Sequence, residues 1–320
     1  MGLATPGLPR PERAVSELVP ETFRSAMAGR AAEGDGAGGP GEDGDRWLRR
    51  LPRLVAELLE QWQLEPDGPS RHGVCALVVP VRQGGAEAVL KVAWPHDEAR
   101  YEHLALRAWD GDGAVRLLAA DPARWGLLLE RLDADRDLHT RPLDEACAVA
   151  GGLLAHLDRP ALPQLPRLSD WARNLVAQLP SGPEGIPRRF VEQARSLATD
   201  LAREPATDAR LVHTDLHYAN VLAAARTPWL AIDPKPMAAD PGFAVAPLLW
   251  NRWDEVVASH DAHRHLRRRL SVVCEHAGLD EDRTRAWTLV RELAQARWAA
   301  RCGDPAELTT AVTIIKAMAD

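Results

Sequence analysis

Apolar positions along the chain change period twice, and the changes divide it into three regions. Residues 46–62 carry Trp47, Leu48, Leu51, Leu54, Val55, Leu58, Leu59 and Trp62 on one helical stripe. The period then shortens. Val74–Arg82 and Glu87–Trp94 read as strands joined by a hairpin at Gln83-Gly84-Gly85, and Pro95 ends the second. A helix is predicted over Asp97–Trp109, followed by strands at Val115–Ala119 and Gly126–Glu130. From Asp144 the helical period dominates, with helices expected at Asp144–Leu157, 170–179 (Ser169 as N-cap), 188–203, 260–277 (closed by Gly278), 281–301 and 306–318. Pro160, Pro163 and Pro166 interrupt it, and two short strands fall at Arg210–His213 and Trp229–Ile232. The first 45 residues hold GRAAEGDGAGGPGEDGD and one short helical stretch near Glu12–Ala28, and they read as a flexible tail. The expected organisation is therefore a tail (1–45), a β-rich N-terminal lobe (46–132) and a mostly helical C-terminal lobe (133–320), an α+β chain.

Composition narrows the class of function. The 320 residues are 46% hydrophobic and 27% charged, enough for a sizeable core. No apolar run approaches the roughly 20 residues of a membrane helix, and the start of the chain has no secretory signal pattern. A net charge of −7 argues against non-specific nucleic-acid binding and suits a cationic partner. The four cysteines, Cys75, Cys147, Cys274 and Cys302, form no C-x-x-C pair. They read as reduced thiols of a cytoplasmic protein rather than as a zinc site. His260, His263 and His265 beside Arg264 and Arg267–Arg269 match no common zinc spacing and read as a solvated basic helix face. Asp133, Asp135 and Asp137 alternate as in a calcium loop, but Leu138 stands where its glycine would be.

The chemistry concentrates in His213-Thr-Asp215-Leu-His-Tyr-Ala-Asn220, followed thirteen residues later by Asp233 at the end of an apolar run. Phosphoryl transfer needs these types: one carboxylate to orient the attacking hydroxyl, and an amide oxygen with a second carboxylate to hold Mg²⁺ against nucleotide phosphates. Lys91 lies inside the apolar strand Ala88-Val-Leu-Lys-Val-Ala93. An ammonium there is costly unless it meets anions, which a nucleotide phosphate and a helix carboxylate would supply. Glu98 and Glu102, four apart on the next helix, are both candidates for that carboxylate. Gly68-Pro-Ser70-Arg-His-Gly73 precedes the first strand of the hairpin and could form a phosphate-facing loop with Ser70 and Gly73 in it, although taken alone it reads rather as a plain turn.

Together, Lys91, the following glutamate, His213-x-Asp215-x4-Asn220 and Asp233 resemble the aminoglycoside phosphotransferase family, within the bilobal protein-kinase-like fold. Asp215-Leu-His-Tyr-Ala-Asn220-Val-Leu, Ile232-Asp-Pro-Lys-Pro and Asp240-Pro-Gly-Phe-Ala-Val-Ala-Pro-Leu-Leu-Trp-Asn-Arg-Trp253 are similar to the streptomycin 6-phosphotransferase and hydroxyurea phosphotransferase group of resistance kinases. The resemblance implies ATP and Mg²⁺ as cofactors, Asp215 as catalytic base, His213 as support of its loop, Asn220 and Asp233 as metal ligands and Lys91 as phosphate anchor. Glu130 and Leu132 would form the hinge that meets the purine. The acceptor would be a cationic aminoglycoside or hydroxyurea, met by C-lobe residues drawn from Asp240, Trp250, Asn251, Trp253, Asp254, Glu255 and Glu292. Neither an obligate protein partner nor a nucleic acid is expected. A kinase of a small metabolite and a non-catalytic nucleotide-binding module are the alternatives. The sequence departs from many relatives at Thr214 (glycine in them), at Pro234-Lys235 after the metal aspartate, and at Ala244 (often aspartate).

Overall fold

The computed structural model describes residues 15–33, 41–179 and 185–319. It divides into two compact units, one of residues 1–111 and 115–131, the other of 112–114 and 132–320.

The first unit is built on a six-stranded sheet. Helices α1 (Glu21–Met27) and α2 (Gly44–Gln61) precede strands β1 (Leu64–Pro66), β2 (Arg71–His72), β3 (Ala76–Gln83) and β4 (Ala86–Ala93). Helix α3 (Glu102–Trp109), β5 (Leu117–Asp121) and β6 (Gly126–Glu130) follow. The sheet order is β1-β3-β4-β6-β5, with β2 paired to β3. Helix α2 starts where Asp43 accepts the Arg46 backbone N–H at 2.7 Å. It buries Trp47, Leu51, Leu54, Val55, Leu58 and Leu59, the stripe read from the sequence. The hairpin pairs Gln83 with Ala86, so Gly84 and Gly85 alone make the turn. Both have positive φ, 55° and 87°, as a two-residue turn of this hand requires.

Strand alternation separates two faces of β4. Ala88, Leu90 and Val92 enter the same core as α2, and Lys91 points to the opposite face. Three sequence expectations change here. The helix foreseen over Asp97–Trp109 is a 3₁₀ turn (Asp97–Ala99) followed by α3, which begins only at Glu102. The strand placed at Val115–Ala119 runs from Leu117 to Asp121. Residues 15–33 are not a flexible tail: Val15, Val19, Phe23 and Met27 belong to the core. Phe23 meets Trp47 edge-on at 5.8 Å. Four apolar residues at a spacing of four make a buried stripe, which the polar and glycine-rich neighbours concealed. The Trp94 indole N–H also bonds to the Glu42 carbonyl at 2.7 Å, which ties down the chain just before α2. The rest of the expected tail, 1–14 and 34–40, lies outside the described residues.

The second unit opens with β7 (Asp133–Asp137), α4 (Leu143–His156), β8 (Arg159–Pro160), α5 (Leu168–Gln178) and α6 (Arg188–Leu201). Strands β9 (Arg210–His213), β10 (Val221–Ala223), β11 (Trp229–Ala231) and β12 (Pro236–Ala239) then form two small sheets, β11-β10-β7 and β12-β9-β8. Helices α7 (Ala246–Trp250), α8 (Trp253–Ala258), α9 (Ala262–Ala277), α10 (Glu281–Cys302) and α11 (Pro305–Ala319) complete it. Gly278 and Gly303, at φ 66° and 69°, close α9 and α10 in the left-handed conformation that suits glycine. Ser169 is not an N-cap. Helix α5 starts one residue earlier, and the Ser169 hydroxyl donates to Asp208 at 2.6 Å. Among the described residues no helix is long and apolar enough to cross a membrane, and the four cysteines are free thiols.

Candidate active site

The second unit gathers the expected catalytic residues on the ends of its two small sheets. His213 is the last residue of β9, and Asp215 follows after Thr214. Asn220 ends a 3₁₀ turn, Tyr218–Asn220, that leads into β10. Asp233 lies between β11 and β12 with φ 54°, an uncommon conformation for a residue with a Cβ.

Hydrogen bonds of the buried His213 ring tie these loops together. Its Nδ1 accepts the Asp215 backbone N–H at 3.2 Å, and its Nε2 lies 2.9 Å from the Ile232 carbonyl. An Nδ1 that accepts leaves the proton on Nε2, so the ring is neutral and donates to Ile232. Burial pushes its pKa down to about 4, in keeping with that form. One uncharged ring thereby links the backbone of Asp215 to the residue before Asp233.

Asn220 adds two further ties. Its amide nitrogen donates to the Asp215 carbonyl at 2.9 Å, and its own carbonyl receives the Ile232 N–H at 2.9 Å. The amide oxygen of Asn220 is then the atom left to meet a cation. With the Asp233 carboxylate it could supply a hard, all-oxygen donor pair. Among the described residues no group of three or more His, Cys, Asp or Glu converges as a cage. A pair of oxygen ligands completed by phosphates and water is the arrangement that fits Mg²⁺.

Two residues of this site stood outside the set of expected site residues. The Lys235 ammonium stands 3.0 Å from Asp215 Oδ2; the sequence showed the lysine beside Asp233 but not its reach to Asp215. The His217 ring is half-buried, its buried Nδ1 has no hydrogen-bond partner, and burial lowers its pKa. Its position two after Asp215 was the available signal. Thr214 has a local role here: its hydroxyl donates to the Lys235 carbonyl at 2.6 Å and its N–H to the same oxygen at 3.3 Å.

In the first unit, the Lys91 ammonium lies 2.7 Å from both carboxylate oxygens of Glu102. Lys91 is 7% exposed and Glu102 2%. This decides between the two glutamates left open by sequence: Glu98 is exposed on the 3₁₀ turn. The Glu130 side chain and N–H both engage the Arg116 backbone, at 2.8 and 3.0 Å, which holds the end of β6 beside the residue preceding β5. Leu132 is half-buried and is the first residue of the second unit's main segment. Ser70 is half-buried with a hydroxyl that lacks a partner, and Gly73 is exposed with nothing near its Cα hydrogen.

Most expected acceptor residues are committed within the fold. Asp240 caps the turn Pro241–Ala244 through Gly242 N–H at 2.9 Å and pairs with Arg283, so both oxygens are used structurally. The Trp250 ring already has a guanidinium, that of Arg291, 5.1 Å from its centroid. Asn251 gives its carbonyl to the buried Arg269 at 2.7 Å. That arginine was read as part of a solvated basic face and is instead buried. Glu255 accepts from Arg252 at 2.6 Å. Trp253 is half-buried and Asp254 exposed at the start of α8.

Glu292 does not line an open site. It is 1% exposed, neither oxygen has a hydrogen-bond partner, and burial raises its pKa to about 8. On the same helix Trp287 is buried, whereas Trp298 is 55% exposed. The folded protein therefore holds a proton on Glu292 that the unfolded chain releases near pH 4.5. Stability from this group is fully present below pH 4.5 and is lost as pH rises toward 8. The loss by pH 7 is on the order of 3 kcal/mol. Urea unfolding from pH 5 to 8 should show this decline, and Glu292→Gln should flatten it; parallel profiles for the two proteins would exclude the effect.

With this geometry in place, the comparisons identify the relatives. Residues 61–303 match the family described as aminoglycoside/hydroxyurea antibiotic resistance kinase. A streptomycin 6-kinase of Streptomyces glaucescens is 44% identical over 87% of this chain and 92% of its own length. A hydroxyurea phosphotransferase of Kitasatospora aureofaciens is 42% identical over 83% of this chain and 78% of its own. Among solved structures, a choline/ethanolamine kinase family protein from Mesorhizobium loti shares the fold with a TM-score of 0.56 and 16% identity, covering 83% of this chain and 95% of that one. The chain has the α+β, protein-kinase-like fold of small-molecule phosphotransferases, and it belongs to the aminoglycoside/hydroxyurea antibiotic resistance kinase family.

Proposed function

We propose that the protein transfers the γ-phosphoryl group of Mg-ATP to a hydroxyl of streptomycin in the cytoplasm and so inactivates the drug. The observation that carries this is the neutral His213 ring, which joins the Asp215 loop to the segment bearing Asp233. Phosphoryl transfer through a loose transition state asks mainly for positioning and charge, and this bracing supplies both carboxylates from rigid strand ends.

Asp215 orients the acceptor hydroxyl and receives its proton. A carboxylate suffices for this, because little deprotonation precedes the transfer. Bound to Asn220 and Asp233, Mg²⁺ would neutralise phosphate charge. Lys91, held by Glu102, binds nucleotide phosphate oxygens, and the end of β6 near Glu130 and Leu132 meets the purine. The relative of 44% identity supports streptomycin as acceptor.

A second acceptor has its own support. Asp240, Glu255 and Glu292 are paired or buried, so few carboxylates remain for a polycation. Hydroxyurea is small and uncharged, and a relative of 42% identity is named for it.

Mass spectrometry after incubation with Mg-ATP separates the readings, with Asp215→Ala as control. Streptomycin gaining one phosphoryl group in the wild type alone is the expected result. A gain on hydroxyurea instead selects the second acceptor. No gain on either, with nucleotide still bound, moves the acceptor to a small metabolite, and failure to bind Mg-ATP overturns the kinase reading.

A further inference from the structure

The fold fixes the backbone of Lys235 and sets its ammonium beside the proposed base. The Lys235 carbonyl receives two bonds from Thr214, at 2.6 and 3.3 Å. Pro234 and Pro236 bracket the residue and restrict its backbone, and Pro236 opens β12 opposite His213. The ammonium contributes to none of this. It stands 34% exposed and 3.0 Å from Asp215 Oδ2, whose side chain is 16% exposed. A partly exposed ion pair of this kind contributes little to stability, so its placement at the proposed base calls for another explanation.

Charge supplies one. The loop presents the carboxylates of Asp215 and Asp233, and the His213 ring, which accepts the Asp215 N–H and donates to Ile232, adds no positive charge to them. Lys235 brings a permanent positive charge to that group. In the resting state it meets the carboxylate that must receive the hydroxyl. A bound γ-phosphoryl group offers it a more strongly charged set of oxygens.

We propose that Lys235 is a further catalytic residue, an inference that rests on the kinase reading. Its ammonium leaves Asp215 when Mg-ATP binds and takes a γ-phosphoryl oxygen through the transfer. The acceptor oxygen–phosphorus bond forms as the bond from phosphorus to the β,γ-bridging oxygen breaks. The electron pair departs on ADP, and the hydroxyl proton passes to Asp215, now free of its partner. Lys235 remains an ammonium throughout and stabilises charge that grows on the equatorial oxygens. Nucleotide binding thus exposes the base at the moment a phosphoryl donor is present.

The test compares wild type, Lys235→Met and Lys235→Arg with the acceptor that the wild type phosphorylates, and follows acceptor-independent ATP hydrolysis in parallel. Lys235→Met should lower kcat by about 100-fold or more. Mg-ATP affinity by calorimetry and the KM for acceptor should stay within about threefold, with an unchanged melting temperature. Hydrolysis should fall with transfer, since water attacks the same phosphoryl group, and Lys235→Arg should restore at least about tenfold of the loss. A kcat for Lys235→Met within about threefold of wild type overturns the proposal, as does a loss that tracks a lower melting temperature and is not rescued by arginine. Wild-type protein that neither transfers nor hydrolyses removes the kinase reading itself, and the Lys235 step with it.

Discussion

Asp215→Asn is expected to lower kcat by about a thousandfold while the affinity for Mg-ATP changes by less than about threefold. The substitution keeps the size of the side chain and removes the carboxylate proposed to take the hydroxyl proton. It also leaves the loop standing, because the bonds that hold it run through Asp215 backbone atoms: the N–H goes to His213 and the carbonyl receives Asn220. Steady-state kinetics and calorimetry on one preparation read both quantities. Equal losses of kcat and nucleotide affinity would mean that Asp215 holds the nucleotide rather than the acceptor. Turnover near the wild-type rate would remove it from the reaction.

The second large effect concerns stability. Glu102→Ala leaves the Lys91 ammonium buried without its carboxylate and should destabilise the first unit by about 3–5 kcal/mol. Lys91→Met with Glu102→Leu removes both charges and fills the space with apolar atoms, so most of that loss should return. Nucleotide affinity should not return with it, because the proposed anchor for the phosphates is gone. Urea unfolding of the single and double variants, beside calorimetry with Mg-ATP, measures the two outcomes separately. A double variant as unstable as Glu102→Ala would show that packing of the side chains, not the uncompensated charge, sets the cost. A double variant that still binds nucleotide at wild-type strength would contradict the role given to Lys91.

These effects differ because the two ion pairs stand in different surroundings. Lys91 and Glu102 are shut into the first unit, where neither can turn to water. Lys235 and Asp215 sit at a partly open loop, where solvent screens them and exchange of partners is cheap. The same pair of chemical types is therefore held fast in one place and able to exchange partners in the other.

Sequence alone determined the parts whose signals are local. The α2 stripe follows from helical period, the Gly84-Gly85 turn from the backbone freedom of glycine, and the proposal of Asp215, Asn220 and Asp233 as a site from residue types at fixed spacing. Each depends on neighbours within a few residues, or on a motif too specific to arise as a plain turn. Tertiary structure decided what depends on distant partners. Glu98 and Glu102 are alike in sequence, and only the packing of α3 against β4 brings the second to Lys91. Trp250, Asp240 and Glu255 looked available for a cationic ligand until arginines of the same chain met them. Residues 15–33 looked like a tail because their four apolar side chains have no purpose until Trp47 and β3–β4 form a surface to receive them. Burial and charge pairing are sums over the whole fold, so the environment of a side chain is settled only when the chain has closed around it.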